Sequence, residues 1–217
     1  MKKTTGNLWR AGYLVEEFAE QSDRGVAIIG GSYLENAVAA LIKADWRKAS
    51  DSRSAENSLN DLFHNSGPLG SFSAKNKLAF LSQMIGEAFF SDLEIIRDIR
   101  NDFAHKLVWD KDSVAHDPLT FETDSVKSRL NNIQIAKSHP GTIFHGIEIL
   151  PDSPRNKYIL AVTTLAIQLY VSAGNWSDPK HQEKSRVILG SPLVTVALPL
   201  HTPPDAPPVE GDSTKQQ

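Results

Sequence analysis

Apolar side chains recur at three- and four-residue steps in several separate stretches of this sequence, which is the period of an α-helix. The clearest stretch runs from Arg24 to Lys43, with a suitable N-cap at Ser22 or Asp23 and a Gly30-Gly31 pair inside it. Each glycine costs about 1 kcal/mol in a helix relative to alanine. We therefore expect the pair to mark a place where another helix crosses at close range.

The same period predicts further helices over Ala55–Phe63, Ser73–Phe89, Asp92–Leu107, Val126–Lys137 and Asn156–Val171. The predicted fold is therefore all-α, a helical bundle of five to seven helices.

Three remaining segments break the helical period. Gly141–Leu150 predicts a short extended arm, folded as a hairpin, and Arg186–Leu200 predicts an extended segment that lies over the bundle. His201–Gln217 combines proline with polar residues and predicts a disordered C-terminal tail. The expected organisation is one helical domain over residues 1–200, followed by a Pro-rich tail over residues 201–217.

No segment has the pattern of a signal peptide or of a membrane span. The basic N-terminus is not followed by an apolar run, and polar residues interrupt the uncharged stretch Tyr158–Trp176. A buried helix explains that stretch better than a membrane helix does. We expect a cytoplasmic protein without membrane contact.

Composition then excludes several kinds of chemistry. The 217 residues include no cysteine, which rules out disulfides, a cysteine nucleophile, iron–sulfur ligation and thiolate zinc sites. The net charge of -3 argues against a protein that coats nucleic acid. None of the seven histidines stands in a metal-ligand spacing, and no phosphate-binding loop or nucleophile elbow is present. We expect neither a metal nor a cofactor.

The densest run of reactive side chains is Arg97–His105. An arginine that stabilises a phosphate transition state and a histidine that moves protons are what metal-free RNA cleavage requires. On a regular helix, however, Arg100 and His105 lie about 140° apart, whereas Asn101 and His105 share a face. The alternative is structural: Arg97 and Arg100 pair with acidic groups such as Glu35, and Asn101 and His105 cap or hydrogen-bond the end of the bundle.

Three motifs in this order resemble the mannitol operon repressor family, over about residues 8–110. They are Ser22–Gly30, Gly67–Lys75 and Asp92–His105. The resemblance implies a helical, non-enzymatic regulator of transcription that acts through partner proteins and does not bind DNA sequence-specifically. In agreement, we find no helix-turn-helix with a basic recognition helix. Under this hypothesis the structural or partner-binding residues are Glu35, Arg97, Arg24 and Asp102.

The run from Arg100 to His105 is also similar to the Arg-x4-His signature of HEPN ribonucleases. That resemblance implies a homodimer with a shared RNA cleft, in which Arg100 and His105 are catalytic and Asn101 is supportive. The sequence therefore leaves two hypotheses: a regulator that binds a protein partner, and a metal-independent ribonuclease with a role as a toxin or in defence.

Overall fold

The computed structural model describes residues 14–46, 52–105, 119–138, 142–144 and 147–176. Within these ranges a short helical segment over residues 14–19 precedes seven α-helices and one two-stranded ribbon. In chain order they are α1 (Asp23–Trp46), α2 (Arg53–Phe63), α3 (Phe72–Leu81), α4 (Glu87–His105), α5 (Asp124–Leu130), α6 (Gln134–Ser138), β1 (Thr142–Phe144), β2 (Ile147–Ile149) and α7 (Pro154–Trp176). The predicted all-α helical bundle is confirmed.

Helices α1 and α7 form the centre of the bundle and run in the same direction. Arg155 at the start of α7 contacts Asp23 at the start of α1, and Tyr33 packs edge-on against Tyr170 further along. Helix α4 runs antiparallel to α1, since Arg24 contacts Ala104. The apolar faces of these three helices meet in one continuous core.

The glycine pair in α1 serves two helix contacts, as its position predicted. A Cβ atom on Gly30 would lie 3.0 Å from Tyr158 Cε1 and 3.2 Å from Val162 Cγ2, both in α7. A Cβ atom on Gly31 would lie 2.7 Å from Arg100 Cγ in α4. Because adjacent helical residues point about 100° apart, one Gly-Gly pair lets both neighbours approach the α1 backbone.

The helix predicted over Ser73–Phe89 is wrong at both ends. Ser71 caps α3, with its hydroxyl accepting from Ala74 N at 3.2 Å, and the helix ends at Leu81. Gln83 takes a left-handed conformation with φ 57° and closes a Schellman-type turn, in which Met84 N donates to Ala79 O at 2.9 Å. Glycine usually marks such an ending, so the sequence gives no stop signal here.

Helix α4 therefore begins at Glu87, five residues before the predicted start at Asp92. Asp92 instead has a tertiary role. The predicted Val126–Lys137 helix divides into α5 and α6, and the buried Asp92 carboxylate accepts from Gln134 N at 2.8 Å and Ile135 N at 2.9 Å. This side chain caps α6 from another helix, which no local pattern indicates.

The predicted extended arm is confirmed as an antiparallel hairpin in which Ile143 pairs with Glu148. Arg186–Leu200 and the predicted tail 201–217 lie outside the described residues, so both stay predictions, as does the domain boundary between them.

Helices α1 and α7 are long and apolar enough to cross a membrane by length and composition alone. In each, however, much of the apolar stretch is buried inside the bundle, 50% in α1 and 61% in α7. Core helices of a soluble protein have the same properties, so this observation is weak support for a membrane role.

Candidate functional site

The last two turns of α4 lie against the first two turns of α1. We call this contact region the α1–α4 seam and define it by Arg24, Arg100, Asn101 and His105. Arg24 Nη2 donates to the Ala104 carbonyl at 3.4 Å, and Arg100 Nη1 donates to Asn101 Oδ1 at 3.0 Å. Arg24, Arg100 and Asn101 are half-buried, whereas His105 is exposed.

Helix α4 stays regular through His105, so the predicted angular separation of Arg100 and His105 applies. The stem of Arg100 packs on Gly31, and its guanidinium reaches back to Asn101. The His105 side chain has no hydrogen bond to any described residue. The structure thus places the two residues of the Arg-x4-His pair on one seam but on different sides of the helix.

The prediction that Asn101 and His105 cap or hydrogen-bond the end of the bundle applies to Asn101, which forms a hydrogen bond there, whereas neither side chain caps α4. The side chain that reaches a terminal carbonyl of α4 is Arg24 of α1. A cation at this end is favourable because the last carbonyl groups of a helix carry partial negative charge. Asn101 accepts a hydrogen bond from Arg100 instead.

The charge of Arg100 also acts on Tyr158 in the centre of the bundle. Burial raises the pKa of the Tyr158 phenol far above its usual range, although the nearby Arg100 charge and a backbone hydrogen bond at Gly31 lower it. The phenol therefore remains protonated and donates to Ala27 O at 2.8 Å. This bond fixes the spacing of α1 and α7 beside the seam.

Asp102 lies on the far side of α4 from α1. Its carboxylate accepts from Arg129 Nη1 in α5 at 2.8 Å. Asp102, one of the residues predicted to be structural or partner-binding, thus joins α4 to α5.

The predicted pairing of Glu35 with Arg97 or Arg100 is wrong. Glu35 Oε1 instead contacts Lys75 Nζ in α3 at 2.5 Å. Arg97 contacts two carboxylates of its own helix, Glu94 at 2.5 Å and Asp98 at 2.7 Å. Gly31 packs against Arg100 of α4, whereas Glu35, one turn later on nearly the same face of α1, reaches Lys75 of α3.

Together with Asn76, these side chains form a second polar region, which we call the polar cluster (Glu35, Lys75, Asn76, Glu94 and Arg97). Asn76 is fully buried, and its Nδ2 donates to Glu94 Oε1 at 2.9 Å. Its Oδ1 has no partner among the described residues. The cluster joins α1, α3 and α4 through charged groups, which is costly unless each is paired.

Sequence reasoning missed Lys75 and Asn76, although a signal was present. The buried side chains of α3 are Phe72, Lys75, Asn76 and Ala79, which share one face at three- and four-residue spacing. The apolar members of this set place the Lys-Asn pair on the inner face. Because Lys75 also ends the Gly67–Lys75 turn motif, its place on the inner face of α3 was missed.

The turn before α3 is built on glycine, as its sequence predicted. Leu69 N donates to Leu62 O at 2.9 Å, and a Cβ atom on Gly67 would lie 2.6 Å from that same carbonyl oxygen. Lys75 Nζ donates to Gly70 O at 3.3 Å. The Gly67–Lys75 motif is therefore one unit, in which the turn returns the chain from α2 and Lys75 fixes it to α1.

Among the described residues, no three His, Cys, Asp or Glu side chains come together as metal ligands. Only His64 and His105 of the seven histidines lie in the described ranges. The absence of a metal and of a cofactor stays a prediction.

No family model matches this sequence, and no curated protein matches it either. Among solved structures, the fold is similar to a chain of the X-ray structure of the MtlR–HPr complex from Escherichia coli. The match has a TM-score of 0.56 and 19% sequence identity, and it covers 74% of this chain and 98% of that chain. The structure therefore has an MtlR-like fold.

Proposed function

We propose that this protein is a non-enzymatic regulator of the mannitol operon repressor type, which acts on transcription by binding a partner protein. The observation that supports this function is the fold shared with MtlR, along nearly the whole length of the matched chain. That neighbour was solved as a complex with HPr. By analogy, a protein of the HPr type is the first partner to test.

The roles of the charged residues agree with this proposal. Glu35 and Arg97 stabilise the packing of α1, α3 and α4, and Asp102 joins α4 to α5. These side chains hold the bundle together without converging on one reacting centre. Control of transcription is then indirect, since the protein would change the availability of its partner and would not read DNA.

One exposed apolar feature offers a contact for such a partner. At the end of α3, Leu81 has 78% of its surface exposed, the largest value for a large apolar side chain in the described part of the chain. Next to it Phe80 and Phe90 stack with their ring centroids 4.7 Å apart. We call Leu81, Phe80 and Phe90 the apolar patch. These three side chains are the apolar surface that we propose as the contact for a partner protein.

The test is isothermal titration calorimetry of the purified chain with HPr from Escherichia coli. We expect saturable binding that Leu81→Ser weakens about tenfold, as for an apolar anchor worth about 1.4 kcal/mol. Leu150→Ser, at the other exposed large apolar side chain in the described part of the chain, is the matched control and should bind like the wild type. Absence of binding by the wild type would contradict a partner of the HPr type. Light scattering on the same sample tests the expected homodimer.

A second candidate function is the metal-independent ribonuclease, and the exposure of His105 favours it. A general acid or base must reach its substrate, and His105 is accessible beside Asn101. The orientation of Arg100 towards α1 weighs against it. RNA cleavage in EDTA by the wild type, lost in folded Arg100→Ala and His105→Ala variants, would establish the nuclease and reject the non-enzymatic proposal.

A further inference from the structure

Five arginines in the described part of the chain are half-buried: Arg24, Arg97, Arg100, Arg129 and Arg155. Three of them contact a carboxylate at 2.5 to 2.8 Å, namely Arg97 with Glu94, Arg129 with Asp102 and Arg155 with Asp23. Among the described residues, Arg24 and Arg100 contact no carboxylate. Their acceptors are the Ala104 carbonyl and the Asn101 amide oxygen, which carry no formal charge.

These two arginines are neighbours on the α1–α4 seam. Gly31 of α1 lies against Arg100, and seven residues earlier Arg24 reaches Ala104, one turn further along α4. One helical turn rises about 5.4 Å, so the two guanidinium groups lie within one or two turns of each other. Both therefore lie at the same short stretch of the contact between α1 and α4.

Three carboxylates close to the seam in sequence are occupied elsewhere, and the exposed Glu20, four residues before Arg24, forms no ion pair with it in the described part of the chain. Asp23 accepts from Arg155 and from Phe121 N, and Asp102 accepts from Arg129. Asp98 contacts Arg97. The positive charge of Arg24 and Arg100 is thus not compensated by the acidic residues next to them in the chain.

The other polar groups of the seam are hydrogen-bond donors. Because Asn101 Oδ1 accepts from Arg100, the Nδ2 of the same amide is directed to other acceptors. His105 is exposed at the end of α4 and provides a ring N–H. Two guanidinium groups, one amide and one imidazole therefore present donors, and no carboxylate in the described ranges accepts from them.

From this arrangement we infer that the α1–α4 seam binds an oxyanion of the phosphate type. A half-buried guanidinium is stabilised by an anionic partner, and its planar donor pair matches the oxygen geometry of a phosphate. The terminal carbonyl groups of α4 carry partial negative charge and would repel an anion on the helix axis. Arg24, however, donates a hydrogen bond to the Ala104 carbonyl. The anion would lie beside the helix, between Arg24, Arg100 and Asn101.

This inference does not depend on the proposed partner protein. The shared chemistry is the phosphate group, which could be free inorganic phosphate or part of a larger molecule. The experiment uses inorganic phosphate as its probe, with a short RNA oligonucleotide in EDTA as a separate arm. Failure to bind HPr and failure to bind phosphate are therefore separate results.

The measurement is phosphorus NMR and calorimetric titration of the full chain with inorganic phosphate, with chloride adjusted to hold the ionic strength constant. We expect saturable binding by the wild type and at least a tenfold loss of affinity in Arg24→Gln and in Arg100→Gln. Arg53→Gln removes the same charge from an exposed position and should retain wild-type affinity. Circular dichroism and thermal unfolding check that each variant is folded.

Arg24→Gln is the decisive variant, because it removes a single 3.4 Å hydrogen bond, whereas Arg100 also packs on Gly31. Wild-type protein that does not distinguish phosphate from chloride would overturn the inference. So would an equal loss of affinity in Arg53→Gln, since that result indicates general charge attraction. Binding of RNA without binding of phosphate would also overturn it and would favour the ribonuclease. RNA that competes with phosphate and requires Arg24 would support the site and identify a phosphodiester as its ligand.

Discussion

The contact between Glu35 and Lys75 makes the polar cluster testable by a double-mutant cycle. Their side chains are 20% and 9% exposed and 2.5 Å apart. Loss of one partner from a fully buried pair costs about 3 to 5 kcal/mol, because the other charge is left unpaired. Glu35 retains some contact with solvent, so we expect about 2 to 3 kcal/mol for Lys75→Met or for Glu35→Gln.

The assay is urea unfolding followed by circular dichroism for the wild type, both single variants and the double variant. If the two groups stabilise each other, the double variant should lose less than the sum of the single losses. We expect a coupling free energy of about 1 to 2 kcal/mol, within the range for residues in direct contact. The slope of the unfolding free energy against urea should remain unchanged if the fold is retained.

A second cycle with Glu35→Gln and Arg100→Gln is the matched control. Arg100 contacts Asn101 and Gly31 and does not contact Glu35, so its coupling to Glu35 should stay below about 0.5 kcal/mol. The reasoning is refuted if Glu35 couples to Arg100 more strongly than to Lys75. That result would restore the ion pair that the sequence alone predicted.

Three further predictions use the same unfolding assay. Gly31→Ala should lower the unfolding free energy by about 1 to 3 kcal/mol, because the new methyl would lie 2.7 Å from Arg100 Cγ; an unchanged midpoint would contradict this close approach. Gln83→Gly should raise the unfolding free energy by about 1 kcal/mol, since glycine adopts the φ of 57° without strain. A loss of stability would show that the Gln83 side chain is needed. Burial raises the pKa of Asp92 in the folded protein despite hydrogen bonds from Gln134 N and Ile135 N. The folded state therefore retains this proton to higher pH than the unfolded state does. The unfolding free energy of the wild type relative to that of Asp92→Asn should then fall as the pH rises from the ordinary aspartate pKa through the raised pKa of Asp92. An increase of this difference over the same pH range would contradict the reasoning.

Local features of this fold could be predicted because their causes are local. The period of apolar residues in α1, the glycine turn at Gly67 and the hairpin arm each depend on residues close together in sequence. The Gly30-Gly31 pair also predicted a helix crossing, since a costly pair of glycines in a helix needs a close neighbour. The pair could not show that two different helices cross there.

The features that the sequence could not predict depend on contacts between distant residues. Asp92 caps α6 through Gln134, which lies 42 positions later in the sequence, and Glu35 contacts Lys75, which lies 40 positions later. Which cation reaches Glu35 depends on how α3 and α4 pack against α1, and no residue near Glu35 in the sequence indicates it. The end of α3 at Gln83 was missed for a different reason, because a residue other than glycine takes the left-handed position.

The run from Arg97 to His105 combines the two roles that its sequence left open. Arg97 belongs to the polar cluster and contacts two carboxylates, Glu94 and Asp98. Arg100, one turn later, lies on the seam without a carboxylate among the described residues. Gly31 separates these regions on α1, four residues before Glu35 and seven after Arg24. The close approach at Gly31 holds both in place at once. Structural pairing and anion binding are therefore properties of successive turns of α4. Substitution of Arg97 should lower the stability of the fold. Substitution of Arg24, which faces the second of these turns from α1, should weaken phosphate binding.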